Sequence, residues 1–276
     1  MIITIVIARC VCYRVERECM KNKDTVIISH ERFLTQFYYN SEINVMNENL
    51  FSRFSVPAGI VLHRNLADKL FMLVPVLEKF NIKILFKDVF RPVEMQKYLY
   101  ENWKERTGKE PKSSLADVDK APHPRGIAFD CVLIDEKNQP LIFPSSSIKV
   151  NPEQRSPFFE NFGDVENGQK KRNNRNLLRY MMLCVGISPI NKEWFHFQLP
   201  QSLDYPVISI EDSQNAEKYN FDSRNTIEYY DIFHDYQNDI FENKTDFWVN
   251  NEKYFEQFNL IALDEVVEKL KGIQNA

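Results

Sequence analysis

The amino-acid sequence predicts an α+β protein, in which helices flank a small and mainly antiparallel sheet. Apolar residues recur at helical spacing over 65–79, whereas the stretch 126–134 alternates in the manner of a strand. After Pro200 the composition becomes acidic and aromatic, and the apolar pattern there predicts amphipathic helices. Together these features indicate a mixed body followed by an acidic, mainly helical C-terminal extension.

The first half of the body is expected to alternate between helices and strands. Residues 65–79 fit one helix, whose last turn Pro75 is expected to kink or shorten. The apolar run 82–86 is typical of a buried strand. Pro92 suits the first turn of the next helix, which is expected to end near Arg106.

The second half of the body begins with the alternating strand 126–134. A polar turn separates it from residues 141–143, which are expected to return as a hairpin partner. Apolar residues over 177–185 form one helical face, which ends at Gly186, a natural position for a C-cap. Residues 193–199 are expected to form the last strand of the body.

Three segments follow from this pattern. Residues 1–24 are either an N-terminal leader or a miscalled extension, residues 25–200 form the main domain, and residues 201–276 form the extension. The apolar run 2–8 is too short to cross a bilayer and lacks the basic flank of a signal peptide. We therefore expect a cytoplasmic protein that does not enter a membrane.

Composition excludes several classes of function. The sequence has neither of the two glycine-rich phosphate-binding patterns, and no basic patch with interleaved aromatic residues, so nucleic acid is not an expected partner. Five cysteines without paired Cys-x-x-Cys spacing indicate a reducing compartment. Residues 201–276 carry 16 acidic and six basic residues. This extension is either a solvated tail or a contact surface, and the sequence names no protein partner for it.

Two of the five histidines lie in patterns that suggest a metal site. His123 is followed after seven residues by Asp130, inside the predicted strand, and His196 follows Glu193 after three residues. Two imidazoles and one carboxylate leave an open position on zinc, as a catalytic zinc site requires. His123, Asp130 and His196 are therefore candidate ligands of one Zn²⁺ ion per chain.

Glu193 and Arg91 complete a candidate hydrolytic site. A glutamate that does not bind the metal can accept a proton from water and pass it to a leaving amine. A fixed positive charge is needed where an oxyanion develops, and Arg91 lies at a strand-to-helix junction. Each residue also has a structural interpretation, such as a core histidine or a salt bridge between Arg91 and Asp88.

The combination of motifs resembles the VanX-type D-alanyl-D-alanine dipeptidases, within a wider group of D-Ala-D-Ala carboxypeptidases and phage endolysin peptidases. The matching segments begin with Asp88-Val89-Phe90-Arg91-Pro92, continue with His123-x-x-Gly126-x-Ala128-x-Asp130, and end with Glu193-Trp194-Phe195-His196. The resemblance covers about residues 80–200 and extends more faintly back to about residue 25. It implies a small α+β zinc peptidase, with His123, Asp130 and His196 as zinc ligands, Glu193 as general base and Arg91 as transition-state stabiliser. The implied substrate is D-Ala-D-Ala or a related short cell-wall dipeptide.

Three departures from the family pattern concern substrate recognition. Ala121 and Pro122 stand where the family has serines, and residues 143–148 lack the carboxylate that the family uses to bind the substrate's amino group. Two alternatives therefore remain beside a dipeptidase. One is a carboxypeptidase or muropeptide endopeptidase of the same zinc group, and the other is a non-catalytic binding module on this fold.

Overall fold

The computed structural model describes residues 24–113, 115–143, 168–190, 193–200, 202–219 and 221. Residues 1–23 of the predicted leader, and the helices predicted beyond residue 221, lie outside this part of the chain. Within it, none of the helices combines the length and the apolar character that crossing a membrane requires.

The described residues form eight strands and six α-helices. The strands are β1 (Thr25–Ile28), β2 (Phe33–Thr35), β3 (Ile60–His63), β4 (Ile82–Asp88), β5 (Ala128–Asp135), β6 (Ser188–Pro189), β7 (His196–Gln198) and β8 (Glu217–Lys218). The helices are α1 (Leu50–Arg53), α2 (Arg64–Phe71), α3 (Val74–Lys79), α4 (Val93–Thr107), α5 (Gly168–Cys184) and α6 (Ile210–Gln214). The predicted α+β class is confirmed.

The larger sheet has five strands in the order β2-β4-β5-β7-β6. Only the β2–β4 pair is parallel, and the other three pairs are antiparallel. One face of this sheet is apolar: Phe86, Phe129 and Phe197 from its three central strands are fully buried, with Phe86 edge-on to Phe129 and Phe129 stacked on Phe197. The opposite face carries Asp130 and His196, because successive side chains of a strand point to opposite sides.

A second sheet brings residues beyond Pro200 back onto the body. Its order is β3-β1-β8, with β8 parallel to β1. The backbone amide of Tyr219 donates to the carbonyl of Ile27 at 2.8 Å, and the Tyr219 ring packs on Phe71. The described residues of the extension, up to Phe221, are thus mostly loop with one short helix and one short strand.

The single helix expected over 65–79 is wrong, because the chain forms two shorter helices. α2 ends at Phe71, and α3 begins at Val74 with Pro75 in its first turn. Proline has no backbone N–H to donate and its ring obstructs the preceding turn, so a helix cannot continue through Pro75 without distortion. The prediction recognised Pro75 but placed its effect at the end of the helix.

The hairpin expected after β5 is reduced to a single bridge. Leu141 donates its backbone N–H to Leu133 at 3.0 Å, and Ile134 bridges Pro140, but residues 141–143 form no strand. Pro140 cannot donate to a ladder, which limits the pairing at this point. Helix α5 ends at Cys184, close to the predicted end, but it begins at Gly168, nine residues before the predicted apolar face. Strand β7 lies within the predicted range 193–199.

Candidate metal centre

A short turn presents His123 to the polar face of the larger sheet. His123–Arg125 form one 3-10 turn, and the ring of His123 is buried. Its Nδ1 lies 2.6 Å from the backbone carbonyl of Val89. A carbonyl oxygen can only accept, so Nδ1 carries the hydrogen and Nε2 keeps a free lone pair.

Gly126 ends this turn in a conformation that only glycine tolerates well. Its φ is +64°, and a Cβ atom here would lie 2.6 Å from Cδ1 of Ile208 and 2.8 Å from the backbone nitrogen of His63. His63 N also donates to the carbonyl of Gly126 at 2.8 Å, so the two segments cannot move apart freely. Gly126 therefore holds the turn that carries His123 close to the end of β3.

Replacing Gly126 with alanine is expected to lower the free energy of unfolding by about 2–4 kcal/mol, from backbone strain and steric overlap together. Gly108→Ala is the matched control, because Gly108 has a φ of +69° but no atom within 4 Å of the added Cβ. That control isolates the strain, roughly 1–2 kcal/mol. Urea unfolding measures both values, and equal losses in the two variants would contradict the steric role of Gly126.

Asp130 and His196 are brought together by strand pairing. They are direct partners across β5 and β7, and side chains of such partners point to the same face of the sheet. Nδ1 of His196 lies 2.9 Å from Oδ1 of Asp130, and Nε2 of His123 lies 3.8 Å from the same oxygen. All three side chains are buried, and their candidate ligand atoms lie within 4.8 Å of one another. This group can hold a metal ion.

The partners of His196 favour a cation between its ring and Asp130. Nε2 lies 3.1 Å from Oε1 of Gln198, so it donates its hydrogen there. In the neutral ring Nδ1 then has a lone pair that faces a carboxylate oxygen at 2.9 Å. Two acceptors at this distance require a proton or a metal ion between them.

Burial and charge set opposite pKa shifts on the two histidines. Burial holds the pKa of His123 well below its usual value, and the charges of Arg91 and His196 act in the same direction. Burial also opposes the charged form of His196, but the hydrogen bond and the charge of Asp130 outweigh it, and its pKa is raised. The two shifts favour a neutral ring at His123 and a protonated ring at His196.

Arg91 is held rigidly beside this cluster. Its Nε and Nη2 lie 3.0 Å and 2.8 Å from Oδ2 of Asp88, and Nη1 donates to Oε1 of Gln96 at 2.7 Å. The salt bridge considered from the sequence is therefore present. Burial, helped by the charge of Asp130, raises the pKa of Asp88 to about 6 although Arg91 opposes this shift. A β-bulge between Phe86 and Asp88 turns the carboxylate toward Arg91.

Glu193 lies at the more open side of the cluster. Its side chain is 24% exposed, and Oε2 lies 3.7 Å from Nδ1 of His196. The carboxylate is thus close to His196, and it still reaches solvent. A carboxylate in this position can exchange a proton with solvent.

One cavity of about 210 Å³ contains all five predicted site residues in its wall. The rest of its wall is formed by Tyr38, Tyr39, Val45, Asp88, Gln96, Trp103, Leu115, Ala116, Ala121, Pro122, Ile190 and Gln198. Ala121 and Pro122, which replace serines of the family pattern, are both buried there and make that part of the wall apolar. Residues 144–148, where the pattern's carboxylate is missing, lie outside the described residues.

Three supporting residues were not found from the sequence. The ring of Tyr39 faces Arg91, and its centre lies 5.6 Å from the guanidinium carbon of Arg91. Gln96 binds Arg91, and Gln198 binds His196. Gln198 could have been proposed, because it lies two residues after His196 in a strand and so points to the same face. Nothing in the sequence near Tyr39 indicates its position.

Comparison with known proteins identifies one relevant relative. The chain is 25% identical over 152 residues to D-alanyl-D-alanine dipeptidase of Escherichia coli (strain K12), an alignment that covers 55% of this chain and 73% of that enzyme. The two proteins are distant relatives. No protein-family model matches the chain. The similarity supports the dipeptidase family in general and does not distinguish the VanX type within it.

Proposed function

We propose that this chain is a zinc-dependent peptidase that hydrolyses D-alanyl-D-alanine or a related short dipeptide. The observation that carries the proposal is the buried group His123, Asp130 and His196, with Glu193 and Arg91 in the wall of the same cavity. The distant relationship to a D-alanyl-D-alanine dipeptidase supports the choice of reaction and substrate.

The donor set suits one zinc ion per chain. Zinc bonds to histidine nitrogen and carboxylate oxygen are about 2.0–2.2 Å long, so tetrahedral ligands lie about 3.3 Å apart. The separations of 2.9 Å and 3.8 Å from Oδ1 of Asp130 lie on either side of that value. Val89 and Gln198 bind the outer nitrogens of the two rings and thereby leave the inner nitrogens for the metal, the usual arrangement around zinc.

Glu193 is proposed as the general base. When bound, zinc supplies an activated water and polarises the carbonyl of the scissile bond. Oε2 of Glu193 lies 3.7 Å from Nδ1 of His196, a proposed ligand, and the side chain is partly exposed, so Glu193 would accept the proton of the attacking water. It then returns the proton to the leaving amine.

Arg91 is proposed to stabilise the negative charge that develops on the carbonyl oxygen. Its hydrogen bonds to Asp88 and Gln96 fix the guanidinium before substrate arrives, so little reorganisation is needed during the reaction. Burial also excludes water, which strengthens the interaction of this charge with an oxyanion.

The proposal is tested by incubating zinc-loaded protein with D-Ala-D-Ala and measuring free D-alanine. We expect release that a chelator abolishes and that added zinc restores. L-Ala-L-Ala, assayed in parallel, tests the preferred stereochemistry. A zinc-loaded protein that hydrolyses no short peptide of either configuration would contradict the proposal and favour a binding role.

A further inference from the structure

A second cavity of about 590 Å³ lies beside the candidate metal centre. Tyr38 and Asp130 belong to the walls of both cavities, so the two cavities are adjacent at one of the proposed metal ligands. The second cavity has the volume of a typical ligand site, whereas the first, at about 210 Å³, is smaller than most.

The second cavity follows the same face of the larger sheet as the metal ligands. Val132, two residues after Asp130 on β5, forms part of its floor. Trp194 and Phe195, which directly follow Glu193, form one side. Trp194 is buried and stacks on Phe143 with ring centroids 4.8 Å apart, so this side is rigid. A substrate that extended beyond the metal centre toward Tyr38 and Asp130 would reach the second cavity.

Lys87 gives this cavity a positive charge. It is the one lysine or arginine among the described residues of the wall. Its Nζ donates a hydrogen bond to Oε1 of Gln36, and no carboxylate of the described residues forms an ion pair with it. Burial lowers the pKa of Lys87, and a carboxylate beside the amine would oppose that shift.

The wall of the second cavity also contains an exposed apolar side chain. The side chain of Ile43 is 88% exposed, more than any other large hydrophobic residue in the described part of the chain. Together with Phe37 and Val132 it offers apolar contacts, while Lys87 and Gln36 offer hydrogen-bond donors. This combination suits a peptide segment that carries a carboxylate.

We propose that the second cavity binds the extension of a peptide longer than a dipeptide, with Lys87 binding a carboxylate on that extension. The inference rests on the proposed function, because the same metal centre cleaves the peptide bond. It names the substrate class as acidic peptides of three or more residues, with D-Ala-D-Ala as the minimal substrate.

The test compares tripeptides in which glutamate or glutamine is added to either end of D-Ala-D-Ala. For one of the two ends, we expect kcat/KM to be about 10- to 100-fold higher with glutamate than with glutamine, the range of a charge-assisted hydrogen bond. Lys87→Met is expected to bring this ratio close to one, mainly through a higher KM, and Lys87→Arg to preserve it. Lys83→Met is the matched control, because Lys83 lies on the same strand but binds Asn138, outside the cavity.

The possible outcomes separate the inference from the proposed function. Hydrolysis of D-Ala-D-Ala with no glutamate preference at either end, or with a preference that Lys87→Met leaves intact, would overturn the inference alone. Absence of hydrolysis of every peptide by the zinc-loaded wild type would overturn both. The thermal unfolding midpoint of each variant verifies that loss of the ratio does not come from loss of the fold.

Discussion

Replacing Glu193 with glutamine is expected to lower kcat for D-Ala-D-Ala hydrolysis by about 10²- to 10⁴-fold, the usual contribution of a general base. Glutamine keeps the shape and the hydrogen-bonding reach of the side chain but cannot accept a proton from water. Because Glu193 is proposed to act beside the metal rather than on it, the variant should still bind zinc with a stoichiometry near that of the wild type. Stopped assays of D-alanine release and zinc analysis of the same sample measure the two effects.

The control for this prediction is Glu136→Gln, in the exposed turn after β5. It removes the same charge far from the cavity and should leave kcat unchanged. If Glu193→Gln retained kcat within about threefold of the wild type, the general base would have to be another group.

Asp130→Asn is expected to weaken zinc binding by more than about 100-fold. Changing a residue that only hydrogen-bonds to a metal ligand usually costs about 10- to 100-fold, and the loss of a ligand should exceed that. The amide is nearly isosteric but removes the one negative charge among the three proposed ligands. Its NH₂ group can also donate to Nδ1 of His196, 2.9 Å away, and so occupy the lone pair that the metal needs. Competition with a chromogenic chelator measures the affinity.

Asp135→Asn is the matched control for Asp130→Asn. Asp135 ends the same strand β5 and accepts a hydrogen bond from the backbone of Gln139, away from the cavity. Its replacement should leave zinc affinity unchanged. Equal affinities of wild type and Asp130→Asn would remove Asp130 from the ligand set.

The candidate site could be predicted from the sequence because its parts lie in short motifs. His123 and Asp130 are separated by one turn and the start of one strand, and Glu193 and His196 by three residues. Strand alternation and turn-forming residues predict local structure well over such short sequence separations. The antiparallel pairing that brings Asp130 and His196 face to face joins residues 66 positions apart. The family resemblance implied that the two residues bind the same metal, but neither it nor the local pattern predicted this pairing.

The features that could not be predicted depend on long-range pairing. Nothing near β2 indicates that it pairs in parallel with β4, and nothing near β8 indicates that it pairs with β1. The second cavity is lined by residues of β2, β4, β5 and the segment before β7, which are far apart in the sequence. The sequence near Lys87, on β4, therefore did not indicate that this lysine lines a cavity. The break between α2 and α3 is different, since Pro75 was visible and only its effect was misplaced.

X-ray absorption at the zinc edge of the loaded wild-type protein tests the central proposal most directly. We predict one zinc per chain, bound by nitrogen and oxygen at about 2.0–2.2 Å, with the outer-shell scattering of two imidazole rings. The signal of one ring should disappear in His123→Ala. A sulfur ligand at about 2.3 Å would instead place the metal on cysteine, and a protein that takes up no zinc would contradict the metal centre itself.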